Sequence, residues 1–241
     1  MPLPKLAVPT YEMELLSTGD TIEYRPFLVK EEKILFMALE GGDNTEMGRA
    51  MKQVISNCVT DKINIDDLPL FELENILLRI RSKSVGDQAD ISYSCQEIIE
   101  NNPCGNKVDL SVDLNKVELE ESEDHSNEIF LTDNIGILMR YPKLDLMNMS
   151  INLDNQDTED MFRIIESCIE CIFDDENTYV MNDYKEEEKT EFFESLTQGQ
   201  FTLIRNFFDT IPKLRFRDDY KCDKCGYTGE LILEGLENFF V

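Results

Sequence analysis

The chain has no tryptophan and a single histidine, and basic residues are scarce: 23 Lys and Arg stand against 50 Asp and Glu. The resulting formal charge of −27 repels phosphate backbones instead of releasing counterions from them, so direct binding to nucleic acid or to an anionic membrane is not expected. The acids are spread along the chain, which reads as solubility and self-repulsion in preference to a nucleic-acid mimic. No apolar run approaches the ~20 residues that cross a bilayer. The opening Met1-Pro2-Leu3-Pro4-Lys5 lacks the apolar stretch of a secretory signal, so the chain is expected to stay in the cytosol where it is made. The one histidine, His125, ends the acidic stretch Glu118-Leu119-Glu120-Glu121-Ser122-Glu123-Asp124-His125 and reads as a solvated loop residue, without a held partner for catalysis. Phosphate-loop, nucleophile-elbow and His-Glu-x-x-His patterns are missing from the sequence, and among so many carboxylates no particular pair points to acid–base chemistry. No enzyme is expected.

The 241 residues are 41% hydrophobic, enough for a proper core in one large domain or two small ones. Tyr11, Met13 and Leu15 alternate with polar residues, Ser17-Thr18-Gly19-Asp20 supplies turn chemistry, and Ile22, Tyr24 and Pro26 follow, which predicts a β-hairpin. From Val29 the period becomes helical, with Ile34, Leu35 and Ala38 on one side and Lys30-Glu31-Glu32-Lys33 expected on the solvated side. A second helix carries Met47, Ala50, Met51, Val54, Ile55 and Cys58 on one face. A third starts near Pro69, with Leu70, Leu73, Leu77 and Ile80 on a stripe. The period then returns to two in Asp90–Cys95 and Lys107–Leu114, which predicts paired strands around a loop containing Cys104-Gly105.

The acidic run that ends at Glu128 has six carboxylates and no Lys or Arg, and is the expected boundary between an N-terminal half, residues 1–122, and a C-terminal half, residues 129–241. Ile135, Ile137 and Met139 before Arg140-Tyr141-Pro142 echo Ile22, Tyr24 and Arg25-Pro26. A helix with Met161, Ile164, Ile165, Cys168 and Ile172 on its face follows. Phe192, Phe193 and Leu196 mark another helix. Thr197 and Gln200 can form a capping box for a last one, stopped by Pro212. Leu214–Arg217 and Glu230–Leu233 then flank Cys222-Asp223-Lys224-Cys225-Gly226. The expected class is α+β: helical clusters with antiparallel hairpins, in two similar halves that each end in a cysteine-tipped hairpin, with an ordinary α+β arrangement as the alternative to duplication.

Seven cysteines, an odd number, in a chain without a secretion signal point to reduced thiols or metal ligation before a disulfide framework. Cys222-x-x-Cys225-Gly226 between strands is a knuckle that presents two thiolates to one metal, and its glycine tolerates the positive φ needed there. A structural zinc needs four ligands, and Cys95 with Cys104 are the natural second pair, although they lie nine positions apart where Cys222 and Cys225 lie three. One structural zinc shared by Cys95, Cys104, Cys222 and Cys225 is therefore weighed against solitary thiols. Cys168-Ile169-Glu170-Cys171 has the knuckle spacing inside a helical pattern without glycine, and reads as buried core thiols.

Three passages carry a resemblance: Pro4–Leu6 with Thr10–Glu12; Tyr24-Arg25-Pro26-Phe27-Leu28-Val29-Lys30-Glu31-Glu32-Lys33-Ile34-Leu35; and Phe207–Leu214 through Cys222–Gly226 to Leu233–Phe240. Together they resemble the baseplate hub protein family of T-even-type contractile-tailed bacteriophages, over essentially the whole chain. The resemblance implies a subunit or assembly factor of the baseplate hub, with other hub proteins as partners, found in the host cytoplasm during assembly or in the virion, and it brings no catalytic residues. Two readings from other classes stand beside it. One is an acidic regulator whose zinc hairpin docks on a host polymerase or nuclease; the other is a metal-dependent hydrolase, which needs an open coordination position.

Overall fold

The computed structural model of the chain describes residues 6–41, 44–146, 158–235 and 239; the outermost residues of the resemblance passages, at 4–5, 236–238 and 240, lie outside them. The described residues form six α-helices and thirteen strands in small antiparallel sheets, an α+β fold. The chain enters as β1 (Tyr11–Glu14) and β2 (Thr21–Tyr24), continues through α1 (Val29–Gly41), α2 (Asn44–Cys58) and α3 (Leu70–Val85), and then forms β3 (Gln88–Ser94), β4 (Ile98–Ile99), β5 (Asn102–Pro103), β6 (Lys107–Asp113) and β7 (Glu118–Glu120). Next come β8 (Glu128–Phe130), β9 (Gly136–Met139), α4 (Thr158–Cys168), β10 (Ile169–Phe173), β11 (Thr178–Val180), α5 (Glu186–Glu194) and α6 (Gln198–Thr210), before β12 (Lys213–Lys221) and β13 (Thr228–Glu234).

These elements gather into two compact units, one of Met1–Glu120 with Lys213–Val241, the other of Glu121–Pro212. The division after Glu120 falls beside the expected acidic boundary. The division before Lys213 was not expected: β12 and β13 belong with the first unit and not with a 129–241 half. The reason is β-pairing, because β12 is hydrogen-bonded on one side to β13 and on the other to β7, with Leu214 opposite Leu119. Charge secures the same join: Arg217 and Arg215 both donate to Glu120, at 3.0 and 3.2 Å, and Arg215 also donates to Glu234. The two arginines hold the Glu120 carboxyl below its ordinary range.

In the first unit, β1 and β2 pair Tyr11 with Tyr24 and Met13 with Ile22, and the turn closes on Gly19 at φ 72°. Ser17 fastens that turn to α3 by donating its N–H and hydroxyl to the buried Glu72 at 2.7 and 2.8 Å. The Tyr24–Leu35 passage turns the chain into α1. Leu35 is buried, but Glu31 differs from the expected solvated face: it is wholly buried, accepts from Arg25 at 3.0 Å and from the Leu28 N–H at 2.9 Å, and pairs with Lys30. Arg25 also donates to the Asn57 and Pro26 carbonyls, so a charged clamp, and not an apolar stripe alone, fixes the helix entry. On α3, Leu73, Leu77 and Ile80 are buried as the stripe predicts, while Leu78 joins a separate cluster with the β3–β6 and β12–β13 hairpins, including Val112, Leu214, Phe216 and Leu231.

The second unit is a four-stranded sheet, β11-β10-β9-β8, packed with α4 and α6 around Ile137, Ile164, Cys168, Ile204 and Phe207. Thr197 and Gln200 cap α6 reciprocally as expected. The expected continuation of the first helix through Ile172 is corrected: α4 stops at Cys168 and Ile169–Phe173 is a strand paired with β9 and β11. Ile169, Cys171 and Phe173 also fit a period of two, and pairing on both sides satisfies the backbone better than another helical turn. His125 departs from the solvated loop as well. Its ring stacks on Tyr141 at 5.4 Å, contacts Phe207 and shares a 2.9 Å hydrogen bond with the Thr210 hydroxyl.

Candidate metal centre

The site is built by two hairpin ends with the same backbone frame. At the end of β12 and β13, where Lys221 faces Thr228, the Cys222 N–H donates to the Tyr227 carbonyl at 2.8 Å and the Gly226 N–H donates back to the Cys222 carbonyl at 2.8 Å. At the end of β3 and β6, where Ser94 faces Lys107, the Cys95 N–H donates to the Asn106 carbonyl at 2.9 Å and the Gly105 N–H to the Cys95 carbonyl at 3.0 Å. Gly226 and Gly105 have φ of 75° and 61°, the left-handed conformation that turns the chain beneath the second cysteine of each pair. The first end is thus a knuckle too. It differs from the second in carrying eight residues between its cysteines where the other carries two.

The four sulfur atoms of Cys95, Cys104, Cys222 and Cys225 all lie within 4.8 Å of one another. Cys95 faces Cys225 at 3.8 Å and Cys104 faces Cys222 at 3.9 Å. A tetrahedral zinc with Zn–S bonds of about 2.3 Å sets its sulfurs about 3.8 Å apart, so the cluster has the size of a four-thiolate site. Cys95, Cys104 and Cys222 are buried and Cys225 is half-buried, and none of the four is in a disulfide. The sequence-predicted residues are therefore all brought together, from positions more than a hundred residues apart.

The surroundings favour a thiolate at Cys222. Backbone N–H groups of Cys225 and Lys224 donate to the Cys222 sulfur and hold its thiol down at about 6. The Asn106 amide donates to the same sulfur at 3.6 Å, and the Tyr220 hydroxyl to Cys95 at 3.8 Å. At Cys225 the Tyr227 N–H lowers the thiol, but burial and the neighbouring sulfurs outweigh it and push it up to about 12. Lys224 donates to the Cys104 carbonyl at 3.2 Å, tying one knuckle to the other. These supporting donors were not anticipated from sequence, although Asn106 sits two places after Cys104 as Tyr227 sits two after Cys225.

The other cysteines stay apart from this cluster. Cys168 is wholly buried in the second unit, where burial pushes its thiol up to about 12, and Cys171 lies on β10 with its thiol raised by burial. Cys58, at the end of α2, is pushed up to about 11 by burial. All three are buried thiols without a neighbouring ligand set among the described residues.

The fold and the thiol cluster define the class: an α+β protein whose first unit brings two cysteine knuckles together across the sequence. The chain belongs to the T4 bacteriophage base plate protein family, whose model matches residues 8–241. It is 23% identical over 231 residues to the baseplate hub assembly protein gp26 of Enterobacteria phage T4, a match that covers 95% of this chain and 97% of that one. No solved structure matches it.

Proposed function

We propose that the protein builds the baseplate hub of a contractile phage tail, as a hub subunit or assembly factor that works through contacts with other hub proteins in the infected host. The observation that carries this reading is a relative named for baseplate hub assembly, matched along nearly the full length of both chains. The acid excess is consistent with protein partners and not nucleic acid. The competing reading, an acidic regulator of a host polymerase or nuclease, draws no support from that relative.

Within this role Cys95, Cys104, Cys222 and Cys225 hold one structural zinc. Four thiolates close the coordination sphere and leave no position for water or substrate, so the metal serves folding and not catalysis. Two measurements test the proposal. Mass spectrometry of purified tails and of assembling hub intermediates, with affinity purification from infected cells, should recover the protein with hub components; recovery of host polymerase without any baseplate protein overturns the hub reading. Metal analysis of protein purified without chelator should give one zinc per chain, lost in Cys222→Ser and in Cys95→Ser; a parent without metal removes zinc from the account.

A further inference from the structure

The two knuckles share one hydrogen-bonded frame, yet only the first contains an insertion, residues 96–103. That insertion is itself a miniature hairpin, in which Ile98 pairs with Pro103 and Ile99 with Asn102. Its turn places Glu100 at φ 49° and Asn101 at φ 68°. Both central residues of a tight hairpin turn of this kind need positive φ, which glutamate adopts less readily than glycine. The turn is therefore imposed by its base, where the Cys104 N–H donates to the Glu97 carbonyl at 2.7 Å and the two cysteines enter the thiol cluster. A two-stranded ribbon this short does not hold itself together in water, and among the described residues no third strand pairs with it.

What the ribbon presents is apolar. Ile98 is 68% exposed and Ile99 42% exposed. Adjacent residues of a strand point to opposite faces, so the two isoleucines stand on the two sides of the ribbon and Glu97 and Glu100 flank them. The metal does not need this loop, because Cys222 and Cys225 make the same frame with two intervening residues.

We infer that the inserted hairpin is a wedge, set by the metal knuckle, that docks Ile98 and Ile99 into an apolar cleft rimmed by Lys and Arg on another baseplate protein. Exposed isoleucines on both faces fit a cleft and not a flat surface. The flanking carboxylates, on a chain of net charge −27, complement a basic rim. This inference rests on the hub reading and on the metal knuckle proposed above.

The test uses the full chain in infected cells. A photo-crosslinking residue is placed at position 98, with position 111, exposed on β6, as the control. The expected adduct from 98 is on one baseplate protein, at apolar residues beside Lys or Arg, and is absent from 111. Ile98→Asp/Ile99→Asp should keep one zinc per chain and the parent's unfolding midpoint while lowering the yield of complete tails at least tenfold. If that variant loses its zinc, a chain with residues 96–103 replaced by Asp-Lys, the pair between Cys222 and Cys225, takes its place and should keep zinc and lose tails. Parental tail yield from a zinc-retaining variant overturns the wedge, as do crosslinks from 98 spread over host proteins as they are from 111. A phage lacking the protein that still makes complete tails shows instead that the hub reading has failed, and the wedge with it.

Discussion

Removing the zinc proposed for the thiol cluster should cost the first unit about 5 kcal/mol. Cys104 and Cys222 are 118 positions apart, and a metal bound to both closes that stretch of chain into a loop. In the chain-entropy treatment of crosslinks, closing a loop of this length takes about 5 kcal/mol of freedom from the unfolded state, and a metal clip acts on the same term as a disulfide. That is a large share of the ~5–15 kcal/mol by which a domain is stable. With a urea dependence of ~1–3 kcal/mol/M, the loss should move the unfolding midpoint down by roughly 2 to 5 M. The assay compares urea unfolding of zinc-replete and chelator-treated protein by circular dichroism, both in reductant so that no disulfide replaces the metal. Hydrogen exchange should show the loss in the amides of β3, β6, β12 and β13. Equal midpoints with the zinc demonstrably gone would refute the reasoning, because strand pairing and the Phe216 cluster would then hold the two hairpins together unaided.

Arg25→Met should destabilise the protein by about 3 kcal/mol, since it strips the main partner from the buried Glu31 carboxylate, measured by the same urea titration. Leu35→Asp should abolish soluble expression, because it forfeits about 2 kcal/mol of apolar burial and places a carboxylate at a buried position; a soluble, cooperatively unfolding variant would contradict that placement. His125 carries a pH prediction. Burial lowers its pKa from 6.5 against the Asn127 hydrogen bond and the Glu121 charge. Its contribution should be present above the unfolded value and lost as pH falls through the folded one, because the unfolded state binds more protons in that window. His125→Gln should flatten the fall in urea midpoint between pH 7.5 and 5.5, and an unchanged slope would remove His125 as its source.

The local elements were legible where one period dominated. Tyr11–Tyr24 alternates cleanly and forms β1 and β2; Thr197 and Gln200 cap α6 because a capping box needs only four adjacent residues. Ile169–Phe173 misled because apolar residues there satisfy both periods, and only its neighbours in the sheet decide between them. The four clustered cysteines were legible as two pairs, each followed by glycine. Their joint unit was not, because nothing local in Lys213–Arg215 says that it pairs with Glu118–Glu120, far back along the chain. Glu31 was misplaced for a similar reason: a glutamate in a run of charges reads as solvated until Arg25 is seen beside it.

The second unit is inserted between the two segments of the first, and this sets an order in time. At ~5–20 residues per second of synthesis, roughly 6 to 24 s pass between the making of Cys104 and that of Cys222. Until β12 and β13 are made, β7 lacks its partner strand, the first knuckle has no counterpart, and Leu78 on α3 is uncovered by the β12–β13 hairpin. Once Pro212 is made, the described elements of residues 121–212, β8 through α6, are all present. The nascent chain therefore completes its inserted unit first and its flanking unit last, and a chain cut short between Pro212 and Cys222 carries a complete insert on an open host.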